Sequence, residues 1–192
     1  MEFKKIQLNG FKSFAEKTNF LIEDGLTGIV GPNGCGKSNI VESLRWVMGE
    51  TSAKSMRGSG MEDVIFSGTS NKASKNIAEV SIEVENKDKE GPIQYRELEQ
   101  IQVRRKIEKD KGSKFYINDK EVRARDAQMF FADLSTGAHS PSMISQGRIG
   151  ALVTAKPTDR RAILEEAAGI SGLHVRRPVS YTHLTLPTTK QV

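Results

Sequence analysis

Gly31-Pro32-Asn33-Gly34-Cys35-Gly36-Lys37-Ser38 is the segment whose residue types and spacing carry the most specific chemistry. Its glycines let successive backbone N–H groups converge on one anion, and a helix beginning at the lysine adds a favourable dipole. In this pattern the Lys37 amine reaches the β- and γ-phosphates of a nucleotide, and the Ser38 hydroxyl ligates Mg2+. Cys35 occupies a variable position and is expected to contribute its backbone N–H rather than its thiol. No Asn-Lys-x-Asp tetrapeptide occurs, so nothing reads guanine as a small GTPase would. On the loop alone, a phosphoryl-transfer kinase remains open.

The flanks are those the loop requires. Leu26-Thr27-Gly28-Ile29-Val30 reads as a short buried strand running into it. Beyond it, Ile40, Val41, Leu44, Val47 and Met48 recur at helical spacing, with Gly49 as the stop. Upstream, Phe3-Ile6-Leu8 and Phe20-Leu21-Ile22 read as strands that end in Asn-Gly and Glu-Asp-Gly turns. Residues 50–75 read as a long loop around one short strand, Val64-Ile65-Phe66. Val80, Ile82 and Val84 alternate with polar residues, and 98–107 and 114–122 continue the β pattern. Asn118-Asp119 is the hairpin signal. From Arg125 the spacing of Ala127, Phe130, Phe131 and Leu134 predicts a helix, and another starts at Pro157. The expected fold class is α/β: a sheet carrying the phosphate loop, an antiparallel β-rich flank over 77–122, and helices after 125.

Composition narrows the classes further. The chain has 192 residues with 29 basic and 24 acidic side chains, a net +5. That excess permits contact with a polyanion without requiring it. One cysteine excludes an internal disulfide framework, and His139, His174 and His183 lie too far apart for metal-ligand spacing. No apolar run approaches the roughly 20 residues of a membrane span, and the N-terminus lacks the apolar stretch of a signal peptide. Basic clusters at Arg104-Arg105-Lys106, Arg123/Arg125 and Arg176-Arg177 are candidate phosphate-backbone contacts.

Five motifs stand in register: Gly-Phe-Lys-Ser-Phe at 10–14, Gly-Pro-Asn-Gly-Cys-Gly-Lys-Ser-Asn at 31–39, Ala-Lys-Ser-Met-Arg-Gly at 53–58, Ser-Gln-Gly-Arg-Ile at 145–149, and Arg-Arg-Ala-Ile-Leu-Glu-Glu-Ala-Ala-Gly-Ile at 160–170. Together they resemble the N-terminal half of the ATPase head of bacterial structural maintenance of chromosomes (SMC) proteins, over roughly residues 1–177. The resemblance implies an ABC-type phosphate-loop half-head that binds ATP and Mg2+ between two heads. It implies that Gly31, Pro32, Asn33, Gly34, Cys35, Gly36, Lys37, Ser38 and Asn39 form the phosphate cradle. Lys12 and Ser13 would approach the nucleotide, and Gln146 would join Ser38 on Mg2+. Arg57, at the family's arginine-loop position, would meet nucleotide, the opposing head or DNA.

By the same resemblance the partners are the C-terminal half-head of the parent protein, a second head through ATP, a kleisin-type subunit, and double-stranded DNA contacted non-specifically through Arg57, Arg104 and Arg105. The implied setting is the cytoplasm, at the nucleoid. Related repair or recombination ATPases of the RecN or RecF kind are the alternative, with a small kinase less favoured.

The catalytic half is missing from these motifs. Met129-Phe130-Phe131-Ala132-Asp133 mimics a Walker B strand, but its apolar spacing is helical and no glutamate follows the aspartate. Leu134-Ser135-Thr136-Gly137 lacks the paired glycines of an ABC signature. No catalytic residue is identifiable, so hydrolysis by this polypeptide alone is expected to be weak or absent. Arg161 and Glu165 are spaced i, i+4 and read as surface pairing on the helix leading toward a coiled-coil arm. After Arg177 no heptads follow. Residues 178–192 carry no acid and a single lysine, and read as a non-native tail, a read-through on a truncated fragment. Without that lysine the body is +4, too small a charge to argue for DNA by itself.

Overall fold

The computed structural model describes residues 1–87, 89, 91–134, 154, 156–158, 160 and 161. Its framework is one six-stranded sheet: β1 (Glu2–Asn9), β2 (Thr18–Leu21), β3 (Ile77–Glu85), β4 (Gln100–Glu108), β5 (Gly112–Ile117) and β6 (Lys120–Val122). The spatial order is β2-β1-β3-β4-β5-β6, and every pairing is antiparallel. The register follows the alternation of apolar residues. Ile6 faces Ile82, and Ile82 faces Val103, so one face collects apolar side chains across successive strands. Asn118 and Asp119 both take positive φ and close the β5–β6 hairpin, as their sequence signal requires.

Two helices cover the apolar face. α1 (Lys37–Val47) packs on β3 and β4, and α2 (Ala124–Asp133) packs on β5. Trp46, Val47, Phe130 and Phe131 join Leu8, Val80, Ile82, Ile101 and Val103 in a single core cluster. The segment 129–133, read as helix rather than Walker B strand, is the second half of α2. Gly49 ends α1 at φ 104°, and the Gln128 amide of α2 donates to its carbonyl at 2.8 Å, tying the two helices together. Of the helix expected from Pro157, the described residues Pro157, Thr158, Arg160 and Arg161 are helical.

Two expectations need correction. The buried strand 26–30 is neither buried nor paired among the described residues: Leu26 is 100% and Val30 94% exposed. An apolar run can lie buried only where another strand or helix covers it, and no described element reaches this one. The strand expected at 64–66 is instead the end of a 3₁₀ turn, Met61–Val64, followed by a single bridge from Ile65 to Phe11. Asp63 makes that turn by accepting the backbone N–H groups of Ser59 and Gly60 at 2.6 and 3.0 Å, which holds its carboxyl below the usual aspartate value. The Val64 carbonyl accepts from the Lys12 N–H at 2.7 Å and the Phe66 N–H donates to the Gly10 carbonyl at 2.8 Å, so the segment pairs with the turn after β1 through one bridge rather than a longer ladder.

Candidate functional site

Three separate chain segments are brought to the start of α1. The first is the turn after β1. Gly10 has φ 63°, and a Cβ there would overlap the Ile77 carbonyl oxygen, so the close approach of β1 and β3 needs glycine at this point. The chain then reverses between Phe11 and Phe14, whose backbones exchange hydrogen bonds of 3.0 and 2.8 Å, while buried Phe11 anchors the turn beside Trp46. Lys12 and Ser13 are left at its tip.

The second segment is the phosphate loop. Gly34 and Gly36 have φ of 84° and 92°, the left-handed backbone that points neighbouring N–H groups inward. Gly36 also abuts Ser13: a Cβ on it would clash with the Ser13 hydroxyl. α1 starts at Lys37 with no side chain capping it and no acid in its first turn. Its first N–H groups and positive dipole end are therefore available to an anion. The Lys37 amine lies across the loop and donates to the Gly31 and Pro32 carbonyls, both at 2.6 Å. Cys35 is exposed, with its sulfur 3.8 Å from that amine. This donor set fits a polyphosphate: amides beside left-handed glycines, the Lys37 ammonium, and the exposed Ser38 at the helix start where a metal ligand is wanted. It does not fit a cationic or apolar ligand.

The third segment is the 3₁₀ turn Lys54–Met56, pinned by buried Met56, which delivers Arg57 at φ 55°. Arg57 Nη2 donates to Asn39 Oδ1 at 3.3 Å, and Asn39 Nδ2 donates to Ser13 Oγ at 2.9 Å. So the structure gathers Lys12, Ser13, Gly36, Lys37, Asn39 and Arg57 into one neighbourhood, although they span 46 positions of sequence.

A residue that the sequence reading passed over sits at its centre. Glu42 is buried on α1 and forms ion pairs with both Lys12 and Arg57, one through each carboxylate oxygen. The Lys12 amine also donates to the Met56 carbonyl. The available signal was an acid four residues after Ser38, one turn into the helix that begins at the phosphate loop.

The basic cluster on β4 divides. Arg104 faces outward, but Glu79 and Asp119 bind its guanidinium at 3.4 and 2.8 Å, and it stacks over Tyr116. Arg105 points inward and is 3% exposed. Its Nη1 donates to the Trp46 and Glu50 carbonyls and its Nε to Ser113 Oγ, all at 2.7 Å. The guanidinium lies over the rings of Trp46 and Phe115, and burial pulls its pKa down to about 10. The expectation that Arg105 touches DNA is therefore corrected: strand alternation sends it to the core face, where it serves as a structural staple. Arg57, 60% exposed on its side chain, keeps an open face. Gln146, Arg176 and Arg177 lie outside the described residues, as do Ser135–Ser142 and the tail. Among the described residues, no cluster of metal-ligating side chains occurs and no helix is long and apolar enough to cross a membrane.

Comparison with known proteins adds three findings. The pattern of the RecF/RecN/SMC N-terminal domain matches residues 2–148. Chromosome partition protein Smc of Cereibacter sphaeroides is 53% identical over 191 residues, covering 100% of this chain and 16% of that protein; its counterpart in Rhodopseudomonas palustris is 52% identical over 177 residues, 92% of this chain and 15% of that protein. The chain thus spans under a fifth of the length of these relatives. Among solved structures, an SMC ATPase described for ATP-driven dimerisation and DNA-stimulated activation superimposes with TM-score 0.74 at 31% identity, over 87% of this chain and 99% of that one. An Smc head bound to the C-terminal winged-helix domain of ScpA superimposes with TM-score 0.82 at 30% identity, over 93% of this chain and 55% of that one.

Proposed function

The chain belongs to the RecF/RecN/SMC N-terminal domain family, and from that premise we propose that it is the ATP-binding half of the head of a chromosome-organising ATPase. The observation that carries this reading is the phosphate loop: left-handed glycines, an uncapped helix start and the Lys37 amine converge on one place.

In this reading the backbone N–H groups of residues 34–38 bind the β-phosphate, and the Lys37 amine leaves the loop carbonyls for phosphate oxygens. Lys12, Ser13, Asn39 and Arg57 line the same mouth and orient the triphosphate. Mg2+, held by Ser38 and Gln146, would neutralise phosphate charge. Among the described residues, none is assigned a general-base role. The carboxylate that the fold does bring beside the loop, Glu42, is engaged by two cations. A base and a second set of phosphate donors would come from the C-terminal half of the parent head. The exposed apolar run at Leu26, Ile29 and Val30 supports that division, since such a run leading into a phosphate loop is a strand in want of a neighbour.

Partners follow from relatives. Head-to-head association through ATP, a kleisin-type subunit and non-specific double-stranded DNA are proposed for the parent protein because the SMC structures above carry dimerisation, DNA stimulation and ScpA in their descriptions. Among the described residues, the arginines proposed for that DNA contact are Arg57 and the exposed Arg123 and Arg125 at the start of α2.

The test is reconstitution. ATP turnover is measured for the chain alone, for a C-terminal half-head alone, and for the mixture, each with and without Lys37→Ala. Turnover confined to the mixture and lost with Lys37→Ala is the expected result. Robust Lys37-dependent turnover by the chain alone would overturn the half-site reading.

A further inference from the structure

A carboxylate beside a phosphate site is at first sight a misplaced charge, because it repels the ligand. Glu42 is such a group. It lies on α1 one turn beyond Ser38, its side chain is 11% exposed, and it approaches two cations that belong to different segments. Lys12 comes from the turn after β1 and Arg57 from the 3₁₀ turn at 54–56. Each of these residues has positive φ, a conformation that is uncommon outside glycine and that surrounding contacts must hold in place. Without an anion between them, two cations this close would repel. Among the described residues, Arg57 is engaged through Nη2, on Glu42 and on Asn39, the residue that follows the phosphate loop. The Arg57 side chain is otherwise 60% exposed, beside Asn39 at the start of α1.

We propose that Glu42 is a positioning residue of the nucleotide site: one buried carboxylate on α1 that locks Lys12 and Arg57 together and thereby aims Arg57 at the phosphate loop. The inference rests on the nucleotide-binding reading above and adds to it a residue that never touches the ligand. Glu42 acts through Arg57. Without the carboxylate Lys12 keeps its bond to the Met56 carbonyl whereas Arg57 loses its ion pair, so affinity falls only while Arg57 is present to be misplaced.

That dependence defines the experiment. Mg-ATP affinity is measured by fluorescence-analogue titration for the 192-residue chain and for Glu42→Gln, Arg57→Ala and the double variant, with Lys37→Ala as the control for site-specific binding. Limited tryptic cleavage after Arg57 is followed in parallel without nucleotide. Glu42→Gln is expected to weaken Mg-ATP about tenfold, or 1.4 kcal/mol. The double variant is expected to be no weaker than Arg57→Ala alone. Cleavage after Arg57 is expected to accelerate several-fold in Glu42→Gln, a change that ligand-free protein reports by itself. If Glu42→Gln does not melt cooperatively, Glu42→Asp replaces it in the cycle. That variant keeps a counter-charge for Lys12 but falls one methylene short of Arg57. Lys37-dependent ATP binding that Glu42→Gln leaves unchanged would overturn the positioning role while sparing the nucleotide reading. Independent, multiplying losses in the double variant, or unchanged cleavage after Arg57, would overturn it too. A parent chain with no Lys37-dependent ATP binding would overturn both.

Discussion

Replacing Arg105 by alanine should damage stability and leave DNA contact untouched, the reverse of what its place in an Arg-Arg-Lys cluster suggests. Arg105 makes three hydrogen bonds of 2.7 Å and lies 4.5 and 4.6 Å from the centres of the Trp46 and Phe115 rings. Hydrogen bonds from a charged donor contribute about 1.5 kcal/mol each, and a cation–π contact about 1 kcal/mol, both taken at the low end. Against these stands the cost of burying the charge. A guanidinium pKa pulled down by burial to about 10 corresponds to a cost on the order of 3 kcal/mol. The balance favours the folded state by about 3 to 4 kcal/mol, in line with breaking other buried charge networks. For a chain of this length such a loss lowers the melting temperature by about 10 °C.

Trp46 is the single tryptophan, fully buried beneath the guanidinium, so its fluorescence reports unfolding directly. Arg104→Ala is the control. Its ion pairs are partly solvated, and the expected change is about 1 kcal/mol or less. An Arg105→Ala variant that melts within about 2 °C of the parent, or that keeps its stability while losing salt-dependent duplex binding, would refute the buried-staple reasoning.

Gly10→Ala should also destabilise, by about 2 kcal/mol or more, because the residue has φ 63° and the new methyl would meet the backbone of Ile77, which cannot rotate away; urea unfolding measures it. Val30→Lys should leave the melting temperature of the chain unchanged, since Val30 is already solvated, and should block association with a C-terminal half-head in a pull-down or sedimentation assay. Asp63 gives the pH dependence its acid limb. Its pKa is lowered in the fold from 3.8, so the stability it adds is fully present above pH 3.8 and is lost as the pH falls through the depressed value. Asp63→Asn should flatten that limb in thermal melts below about pH 4.

The parts of the fold that were legible are those where one local rule decides. The alternation Val80-Ile82-Val84 set the face of β3, Asn118-Asp119 set a hairpin, and Ala127-Phe130-Phe131 set α2 against a tempting catalytic motif. The left-handed glycines and the helix start of the phosphate-loop motif were legible because consecutive residues set them. Reading failed where the outcome depends on what covers a segment. Leu26–Val30 has the composition of a buried strand, yet burial needs a partner, which no window of sequence reveals. Arg105 failed for the same reason in reverse. A charge is taken for a surface group until the strand register turns it inward and three acceptors with two rings make burial tolerable. Glu42 was hidden because its two cations lie 30 positions before it and 15 after it. Its role exists only once Lys12 and Arg57 are folded onto α1.

The central claim is that the loop at 31–38 binds a nucleotide triphosphate with Lys37 as the phosphate-seeking cation. Isothermal titration of Mg-ATP into the parent chain and into Lys37→Ala tests it most directly, provided matched melts show that both are folded. The account predicts saturable one-to-one binding by the parent and a loss of at least tenfold in Lys37→Ala, about 1.4 kcal/mol or more, with no change in melting temperature without ligand. Equal affinities, or no binding by a folded parent chain, would contradict it.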